Sequence, residues 1–361
     1  MIGLVFIGNI EYCPYLEKYK QVLDKENIEF EVLYWNRDEL KTEYPDNYLS
    51  FNERSRRSKK KLLKIMDFIK FKKWLTKNIK TNGYEKIIIL DTLSGILISK
   101  LLQREYKKKY IFDIRDYSYE KIESFFRVEK KVIDSSYFTC ISSEGFKKFL
   151  PKDYNYIMAH NFNYNNLSIS SNFVKKKKGE KLNIVWIGSV RYYEHQKKII
   201  SKLKNDSRFH LIFHGAGPYL DKLFEYTNQE GVKNITFTGF YNNEDKASLL
   251  LDADIINNSY DPEVGYAVKY AISNKYYDGV IFKIPQLVEV GTYKDNKVKD
   301  SGVGFSIDVN NDNFANILYD HYFNINERKF NENCNLELKK FTSEDSDYIK
   351  GIKGFLKKEL Y

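Results

Sequence analysis

The stretch LNIVWIGSVRYYEHQKKII, residues 182–200, carries the clearest structural pattern in the chain. It opens with a nearly continuous apolar run, which is typical of a strand covered on both faces in a parallel sheet. Gly188 ends that run, and a helical pattern with Arg191, Lys197 and Lys198 follows. A loop that leads into a helix amino terminus, with cations nearby, is suited to bind a diphosphate. The stretch therefore predicts a strand, a turn and a helix, with an anion site at the turn.

The same step from a strand to glycine recurs twice downstream. FHLIF, residues 209–213, and ITF, residues 235–237, are short apolar runs that each end in a turn. In a parallel sheet the carboxyl ends of the strands meet at one edge, and glycine there lets a ligand approach the backbone. The residues that we expect at this edge are Gly215, Gly217, Thr238 and Gly239.

Apolar runs alternate with helical patterns through almost the whole chain. The remaining runs lie at residues 2–7, 30–34, 87–90, 110–113, 137–141, 156–158, 253–256, 285–288 and 304–307. This alternation predicts an α/β fold with parallel sheets, because continuous apolar strands need helices on both faces. Right-handed crossovers then give doubly wound, Rossmann-like domains.

A polar stretch without a strand or helix pattern, residues 165–181, separates the two series of runs. We interpret it as a linker between an N-terminal domain, 1–164, and a C-terminal domain, 182–340. The last residues, 341–361, include an amphipathic helical pattern, and we expect this helix to pack back on the N-terminal domain. A length of 361 residues fits two domains of common size.

The first half has two candidate sites at predicted strand ends. Gly8 and Asn9 follow the first strand, where glycine allows either a ligand to approach or simply a tight turn. Asp113, Arg115 and Asp116 form a compact charged cluster after a later strand. Open α/β sheets bind ligands at such strand ends, although ion pairs between Arg115 and either carboxylate explain the cluster equally well.

Composition limits the kind of partner and the compartment. The formal net charge of +10 favours an anionic partner: nucleic acid, anionic lipid or a phosphorylated substrate. The three cysteines lie far apart and lack metal-ligand spacing, which predicts a reducing, cytoplasmic location. No apolar run reaches the roughly 20 residues of a spanning helix, so we expect any membrane contact to be peripheral. The histidines at 160, 195 and 214 also lack metal-ligand spacing, and we expect structural roles for them.

One basic segment, Arg54–Lys77, has an unusual distribution of apolar residues. On a helical wheel Leu62, Ile65, Met66 and Ile69 share one face, whereas Phe68, Phe71 and Leu75 lie opposite. The segment fits a domain helix with a solvated basic end. It also fits a helix that docks on anionic lipid through its charge, including Arg56, Arg57, Lys59 and Lys60.

The order of these motifs resembles the GT-B glycosyltransferases, particularly the large retaining family that includes many capsule and lipopolysaccharide transferases. In the second half the resemblance is carried by IVWIGSV, LIFHGAGPYLDKL, VKNITFTGFY, DADIINNSYD, SNKYYDG and IPQLV. In the first half it is carried by YFTCISSEG and IMAHNF. It covers most of the chain and implies two Rossmann-like domains that face each other across a cleft.

The resemblance also implies roles for particular residues. The donor nucleotide-sugar would contact Gly8, Arg191, Lys197, Lys198, Gly215, Gly217, Thr238, Gly239, Asn274, Lys275 and Asp278. The implied catalytic residue is Asp116, and the acceptor side would include Asn9, Asp113 and Arg115. No bound metal and no resident cofactor are implied.

Two positions depart from the pattern of that family. Asp278 stands where the family usually has a glutamate that binds the nucleotide ribose, and Tyr270 stands where it has an earlier glutamate. Glu263 replaces that earlier carboxylate only if its loop is rearranged. These departures leave the donor sugar open.

The implied activity is metal-independent, retaining transfer of a sugar from a nucleotide-sugar to a saccharide acceptor, linked to lipid, in bacterial capsule or cell-wall polysaccharide synthesis. The location would be the cytoplasm, peripherally at the inner face of the plasma membrane. Two alternatives share the fold: a nucleotide-sugar epimerase and a catalytically inactive scaffold. A nucleic-acid-binding protein is favoured by charge alone, but the lysines are spread over both halves and no binding signature is present.

Overall fold

The computed structural model describes residues 1–55, 61–162, 167 and 172–357. The chain divides into two compact units. The first comprises Met1–His160 with Ser343–Tyr361, and the second comprises Asn161–Thr342. Each unit is built around one parallel β-sheet, as the alternating apolar runs predict.

The strands of the first unit are β1 (Ile2–Phe6), β2 (Phe30–Trp35), β3 (Tyr48–Phe51), β4 (Lys86–Ile89), β5 (Tyr110–Ile114), β6 (Phe138–Ile141) and β7 (Ile157–Met158). They lie in the order β3-β2-β1-β4-β5-β6-β7, and all neighbouring pairs are parallel. β1 and β5 are buried along their whole length, because helices cover both faces of the sheet. The strand order reverses between β1 and β4, which makes that point the topological switch.

The helices of the first unit are α1 (Leu16–Lys25), α2 (Lys61–Asn82), α3 (Thr92–Leu97), α4 (Ser99–Glu105) and α5 (Glu123–Ser135). α1 is amphipathic, and its buried face presents Leu16, Tyr19, Val22 and Leu23 to the sheet. α3 begins at a side-chain cap, because the carboxylate of Asp91 accepts the backbone N–H of Ser94 at 2.8 Å.

The strands of the second unit are β8 (Leu182–Ile187), β9 (Phe209–His214), β10 (Ile235–Gly239), β11 (Ile255–Asn257), β12 (Gln286–Val288) and β13 (Gly304–Ser306). Their order is β10-β9-β8-β11-β12-β13, again with parallel pairs throughout. The switch point of this sheet therefore lies between β8 and β11.

The remaining helices are α6 (Tyr193–Leu203), α7 (Leu220–Gln229), α8 (Lys246–Leu250), α9 (Tyr266–Tyr270), α10 (Asn274–Ile281), α11 (Tyr293–Ser301), α12 (Phe314–Phe323) and α13 (Glu327–Lys357). α13 contributes to both units, because the division falls between Thr342 and Ser343. It is much longer than the helix predicted near residues 343–358. Its first half reads as polar, yet Phe330, Cys334 and Phe341 are buried along it.

Two further features differ from the sequence-based predictions. β3 was not predicted, because its residues YLSF are only half-buried at the edge of the sheet and lack a strong apolar run. The segment before β8 does not merely connect the units. Phe173 is buried against Tyr322 and Phe330, and the ammonium of Lys176 lies 2.6 Å from the carboxylate of Asp254.

The two faces of α2 have different environments. Phe71, Leu75 and Ile79 are fully buried in the first unit. The face defined by Leu62, Leu63, Ile65, Met66 and Ile69 is exposed, with exposed fractions of 71, 43, 55, 50 and 47%. The basic residues Arg56, Arg57, Lys59 and Lys60 lie outside the described residues. Within the described part of the chain, no helix has the length and apolarity needed to cross a membrane.

The end of α13 is fastened to the first unit by buried charge as well as by apolar packing. Tyr348, Ile352 and Phe355 belong to its hydrophobic core. The ammonium of Lys18 lies 2.6 Å from the carboxylate of Asp345, and both side chains are at least nine-tenths buried. Lys18 also donates to the carbonyl of His160 at 2.7 Å. Together these contacts make the part of α13 that begins at Ser343 an integral part of the first unit.

The substitution Asp345→Ala is expected to lower the free energy of unfolding by about 3–5 kcal/mol, because it leaves the ammonium of Lys18 buried without its carboxylate. Urea unfolding followed by circular dichroism measures this loss. The matched control is Asp347→Ala on the same helix, which removes an ion pair with Lys350 whose side chains are 68 and 74% exposed. Asp347→Ala is expected to lower the free energy of unfolding by less than about 1 kcal/mol. Equal losses of unfolding free energy in the two variants would contradict a stabilising role for the buried ion pair of Lys18 and Asp345.

Candidate functional site

The switch point of the second sheet is bordered by two short segments. Gly188–Tyr192 follows β8, and Asn258–Asp261 follows β11. Tyr192 has a left-handed backbone conformation with a φ of 60°, and no side chain caps the first turn of α6. The first backbone N–H groups of a helix have no partner within the helix, so they form a partial positive site that suits an anion. We call the space between these two segments the donor crevice.

Two buried lysines lie against aromatic rings beside the donor crevice. The ammonium of Lys275 lies 3.4 Å from the ring centroid of Trp186 and donates to the hydroxyl of Tyr260 at 2.8 Å. The ammonium of Lys294 lies 3.6 Å from the ring centroid of Tyr260 and donates to the carbonyl of Asn258 at 2.9 Å. Burial lowers the pKa of both lysines well below the usual value. An anion bound next to them would favour their charged forms, because opposite charge offsets the cost of burial.

One buried carboxylate accompanies this group of cations. Asp278, on α10, is 5% exposed, and the ammonium of Lys246 lies 3.1 and 3.2 Å from its two oxygens. Burial raises the pKa of Asp278, and Lys246 acts in the opposite direction. The charges that act on Lys275 come from Asp278, Lys246 and Arg191. With Lys275 protonated, this set carries three positive charges and one negative charge, so the crevice attracts anions.

Arg191 is the sequence-predicted cation that lies at the donor crevice. It is exposed, it belongs to the segment after β8, and its Nε donates to the hydroxyl of Ser189 at 3.2 Å. Lys197 and Lys198, predicted alongside it, point elsewhere. The ammonium of Lys197 lies 4.9 Å from the ring centroid of Tyr226 on α7, and Lys198 donates to the side chain of Asn310. The ammonium groups of both lysines are thus engaged with other elements of the unit, and their predicted contact with a donor stays a prediction.

The structure changes the role predicted for two glycines. A Cβ atom on Gly215 would lie 2.1 Å from the carbonyl oxygen of Gly188, and one on Gly217 would lie 2.5 Å from backbone atoms of Val190. These glycines let the turn after β9 pack directly on the turn after β8, rather than against a donor. The backbone N–H of Val190 donates to the carbonyl of Ala216 at 3.0 Å across this contact. Gly188 itself has open space where its Cβ would be, with a φ of 109°, so it can accept a close ligand.

The other predicted donor residues lie at or near the same sheet edge. Gly239 has a φ of 75° and open space around its missing Cβ. Thr238 is exposed, and its hydroxyl lies 2.9 Å from Nδ1 of His214. Asn274 is exposed at the first position of α10 and accepts a hydrogen bond from Asn161. Tyr270, which replaces a carboxylate of the resembled family, packs edge-on against Tyr266.

In the first unit, Gly8 and Asn9 lie at the switch point between β1 and β4, as predicted for residues that follow β1. Asn9 is 2% exposed, its amide donates to Asn36 at 2.8 Å, and its side-chain oxygen accepts from the backbone of Asp38. Asn9 therefore fastens the segment after β2 and does not face an acceptor. Opposite it, Asp91 accepts the backbone N–H of Ile7 at 2.9 Å. Asp91 was not predicted, because the sequence around it shows only a helix-cap pattern.

Asp113 and Arg115 form the structural ion pair that the sequence left open. Asp113 is 0% exposed, and one of its oxygens lies 2.6 Å from Nε of Arg115. Its other oxygen accepts the hydroxyl of Tyr19 at 2.9 Å. Arg115 in turn donates to the carbonyl of Ala159 at 2.7 Å and lies 4.2 Å from the ring centroid of Tyr15. The predicted acceptor role of both residues is corrected, because their charged groups are occupied inside the unit.

Asp116, the predicted catalytic residue, is exposed just beyond the carboxyl end of β5. The same loop contains Glu120, whose pKa burial raises to about 6. On α5, burial together with the charge of Glu120 raises the pKa of Glu129 to about 9. Sequence analysis missed both buried carboxylates, since neither lies in a recognisable motif. Among the described residues, no group of three or more His, Cys, Asp or Glu side chains is arranged to hold a metal ion.

Comparison with solved structures finds similarity over nearly the whole chain. Sucrose-phosphate synthase from Thermosynechococcus elongatus is 11% identical, with a TM-score of 0.69, over 98% of this chain and 99% of that chain. HepE from Anabaena, solved in complex with UDP, is 10% identical, with a TM-score of 0.66, over 98% and 100%. The lipopolysaccharide outer core galactosyltransferase WaaB is 12% identical, with a TM-score of 0.60, over 98% and 99%.

No model of a known protein family matches the sequence, and no curated protein matches it. The similar solved structures are GT-B glycosyltransferases. Together with the two parallel sheets and their switch points, they establish the architecture that the sequence predicts. This chain has the GT-B fold.

Proposed function

We propose that the protein is a glycosyltransferase that moves a sugar from a nucleotide-sugar donor to a saccharide acceptor. The observation that carries this proposal is the donor crevice, where the uncapped amino end of α6, Arg191 and the buried Lys275 converge. These groups suit the diphosphate of a nucleotide-sugar. HepE, one of the structurally similar proteins, was solved with UDP, which supports a nucleoside diphosphate as the ligand class.

The proposed chemistry breaks the bond between the anomeric carbon of the sugar and the donor diphosphate. A new bond forms between that carbon and a hydroxyl oxygen of the acceptor, and the proton of that hydroxyl passes to the departing diphosphate. Negative charge accumulates on the departing diphosphate, and Arg191, Lys275 and the amino end of α6 would stabilise it. We propose that these groups need no resident metal or cofactor to do so, and that the anomeric configuration is retained.

Asp278 is proposed to accept a hydrogen bond from the nucleotide ribose. Burial raises the pKa of this carboxyl, so an isolated Asp278 would hold its proton more strongly. The ammonium of Lys246, within 3.2 Å of both oxygens, favours the ionised form. Lys246 would therefore keep Asp278 available as an acceptor.

The acceptor is proposed to bind at the carboxyl edge of the first sheet, where Asp116 is exposed. Asp116 is the group that we propose to act on the acceptor. The exposed apolar face of α2 supports a lipid-linked acceptor. Because α2 follows the parallel strand β3, its exposed first turns begin at this same edge of the sheet.

Membrane contact through α2 is proposed from the five exposed apolar side chains Leu62, Leu63, Ile65, Met66 and Ile69. Exposed lysines follow on the same helix at positions 70, 72 and 73. Apolar side chains beside lysines suit the surface of an anionic bilayer. We propose a location at the inner face of the bacterial plasma membrane and a role in surface polysaccharide synthesis.

A nucleoside diphosphate that binds the donor crevice is expected to raise the thermal stability of the protein. A ligand at 100 times its dissociation constant adds about 2.7 kcal/mol, and Arg191→Ala and Lys275→Met are expected to abolish most of that gain. Thermal unfolding with UDP, GDP, CDP and ADP, with and without Mg²⁺, measures the effect.

The matched control for that screen is Lys202→Ala, because Lys202 also lies on α6 but pairs with the carboxylate of the exposed Asp312 at 2.9 Å. This variant is expected to keep the full stabilisation. No shift with any nucleotide in the unaltered protein would count against a working transferase. If the control variant lost the ligand-induced stabilisation to the same extent, the anion site would not lie in the crevice.

The triple substitution Ile65→Ser, Met66→Ser and Ile69→Ser is expected to weaken binding to vesicles that contain phosphatidylglycerol, because it removes apolar area that would insert between lipids. Flotation with and without phosphatidylglycerol measures binding. The control is Leu251→Ser, Val264→Ser and Leu336→Ser, which changes three exposed apolar residues of the second unit. Unchanged binding after the α2 substitutions would overturn the membrane contact.

A further inference from the structure

A buried polar network crosses the switch point beneath the donor crevice. Nε2 of His195, in the first turn of α6, lies 2.7 Å from the hydroxyl oxygen of Ser259, in the segment after β11. The Ser259 hydroxyl donates to Glu289, directly after β12, at 3.2 Å. Nε2 of His195 also lies 3.5 Å from the same oxygen of Glu289. The three residues are 4, 1 and 4% exposed, so water does not compete for these bonds.

A second bridge runs parallel to the first. Gln196, the next residue on α6, is 0% exposed; its amide donates to the carbonyl of Ser259 at 3.0 Å. Its side-chain oxygen accepts the amide of Asn257, at the end of β11, at 2.8 Å. Both bridges therefore tie the start of α6 to the far side of the switch point. Tyr260, which follows Ser259, carries the hydroxyl that binds Lys275.

We propose that His195, Ser259 and Glu289 are positioning residues that set the spacing between the amino end of α6 and Tyr260, and so the affinity of the crevice for a diphosphate. This inference rests on the proposed function and deepens it. One border of the crevice carries the α6 N–H groups, the other carries Tyr260 with Lys275, and the network is the buried link between them. A shift in this link would misalign the α6 N–H groups with a bound diphosphate, and each hydrogen bond to a charged group that is lost weakens binding about tenfold or more.

The network also has a defined direction of hydrogen bonding. While Glu289 is ionised it can only accept, so the Ser259 hydroxyl gives its proton to Glu289 and accepts from Nε2–H of His195. Burial lowers the pKa of His195 to about 4 and raises that of Glu289 to about 7. The ring is therefore neutral near neutral pH. The charged groups that act on the pair are Asp261, Asp308, Lys198 and Lys294.

The substitution Glu289→Gln tests this direction. The backbone N–H of Val309 donates to the other oxygen of Glu289 at 3.2 Å, so it holds the amide oxygen of a glutamine in that place. The amide nitrogen then faces Ser259 and donates to it. Ser259 must turn its proton toward His195, whose neutral ring is expected to switch from the Nε2–H to the Nδ1–H tautomer. Long-range ¹⁵N–¹H NMR of labelled histidine near pH 9, where Glu289 of the unaltered protein is ionised, reads the tautomer, and His195→Gln assigns the signal.

Calorimetric titration with inorganic diphosphate tests the effect on the crevice. Ser259→Ala removes the hydroxyl that joins His195 to Glu289 and leaves the Gln196 bridge in place. It is expected to weaken diphosphate binding by about ten- to a hundredfold, the effect of losing one hydrogen bond to a charged group. The matched control is His210→Gln, which removes a histidine that bonds to Thr236 on the surface of the same sheet and is expected to bind as the unaltered protein does. Circular dichroism checks that each variant is folded.

The outcomes separate the two proposals. Weaker binding in folded Ser259→Ala, with the tautomer switch in Glu289→Gln, would support the positioning role. Unchanged binding in folded Ser259→Ala, or an unchanged tautomer in Glu289→Gln, would overturn it while leaving the proposed function intact. If the unaltered protein failed to bind diphosphate, the proposed function would fall and this inference with it.

Discussion

Parallel pairing of every strand is the constraint on which the rest of this structure depends. It sends the carboxyl ends of all strands in a unit to one edge of the sheet, and it requires each connection to cross a face of that sheet. Where the strand order reverses, neighbouring connections leave on opposite faces and a crevice opens. In the second unit that crevice lies between β8 and β11, so residues distant in the chain, such as Arg191, Tyr260 and Lys275, come together there.

The two units bury charge in different ways. In the first unit, Asp113 and Arg115 neutralise each other and use their remaining hydrogen-bonding capacity on Tyr19 and Ala159. Their ion pair is complete, so it serves structure. In the second unit, Lys275 and Lys294 are buried on aromatic rings, and no carboxylate of the described residues forms an ion pair with either ammonium. The cost of burying the charge of these two lysines is not fully compensated, so an incoming anion would favour their charged forms. This difference separates a structural cluster from a candidate binding site.

The prediction of the donor site rested on glycines and lysines, and the structure gives these residues mixed roles. Gly215 and Gly217 admit the neighbouring turn, because two backbones approach closely there, whereas Gly188 faces open space. The ammonium groups of Lys197 and Lys198 contact Tyr226 and Asn310, whereas Arg191 follows β8 and the other cations of the crevice come from α8, α10 and α11. A lysine in a chain with 59 lysines and arginines carries no signal of its own, and only its neighbours in space give it a role.

The local pattern of the sequence was enough to predict the α/β class and nearly all the strands, and the resemblance of the motif order to a known family implied the GT-B architecture. Continuous apolar runs can be buried only in sheets covered on both faces, and turns and helices between them leave few other folds. The half-buried strand β3 and the polar first half of α13 escaped prediction, since their burial depends on neighbours from elsewhere in the chain. Tertiary structure alone decided that His195 bonds to Ser259 and that Lys246 neutralises Asp278. Hydrogen bonds and ion pairs depend on distances of a few ångströms between groups 64 and 32 residues apart, and no periodicity in the sequence encodes such distances.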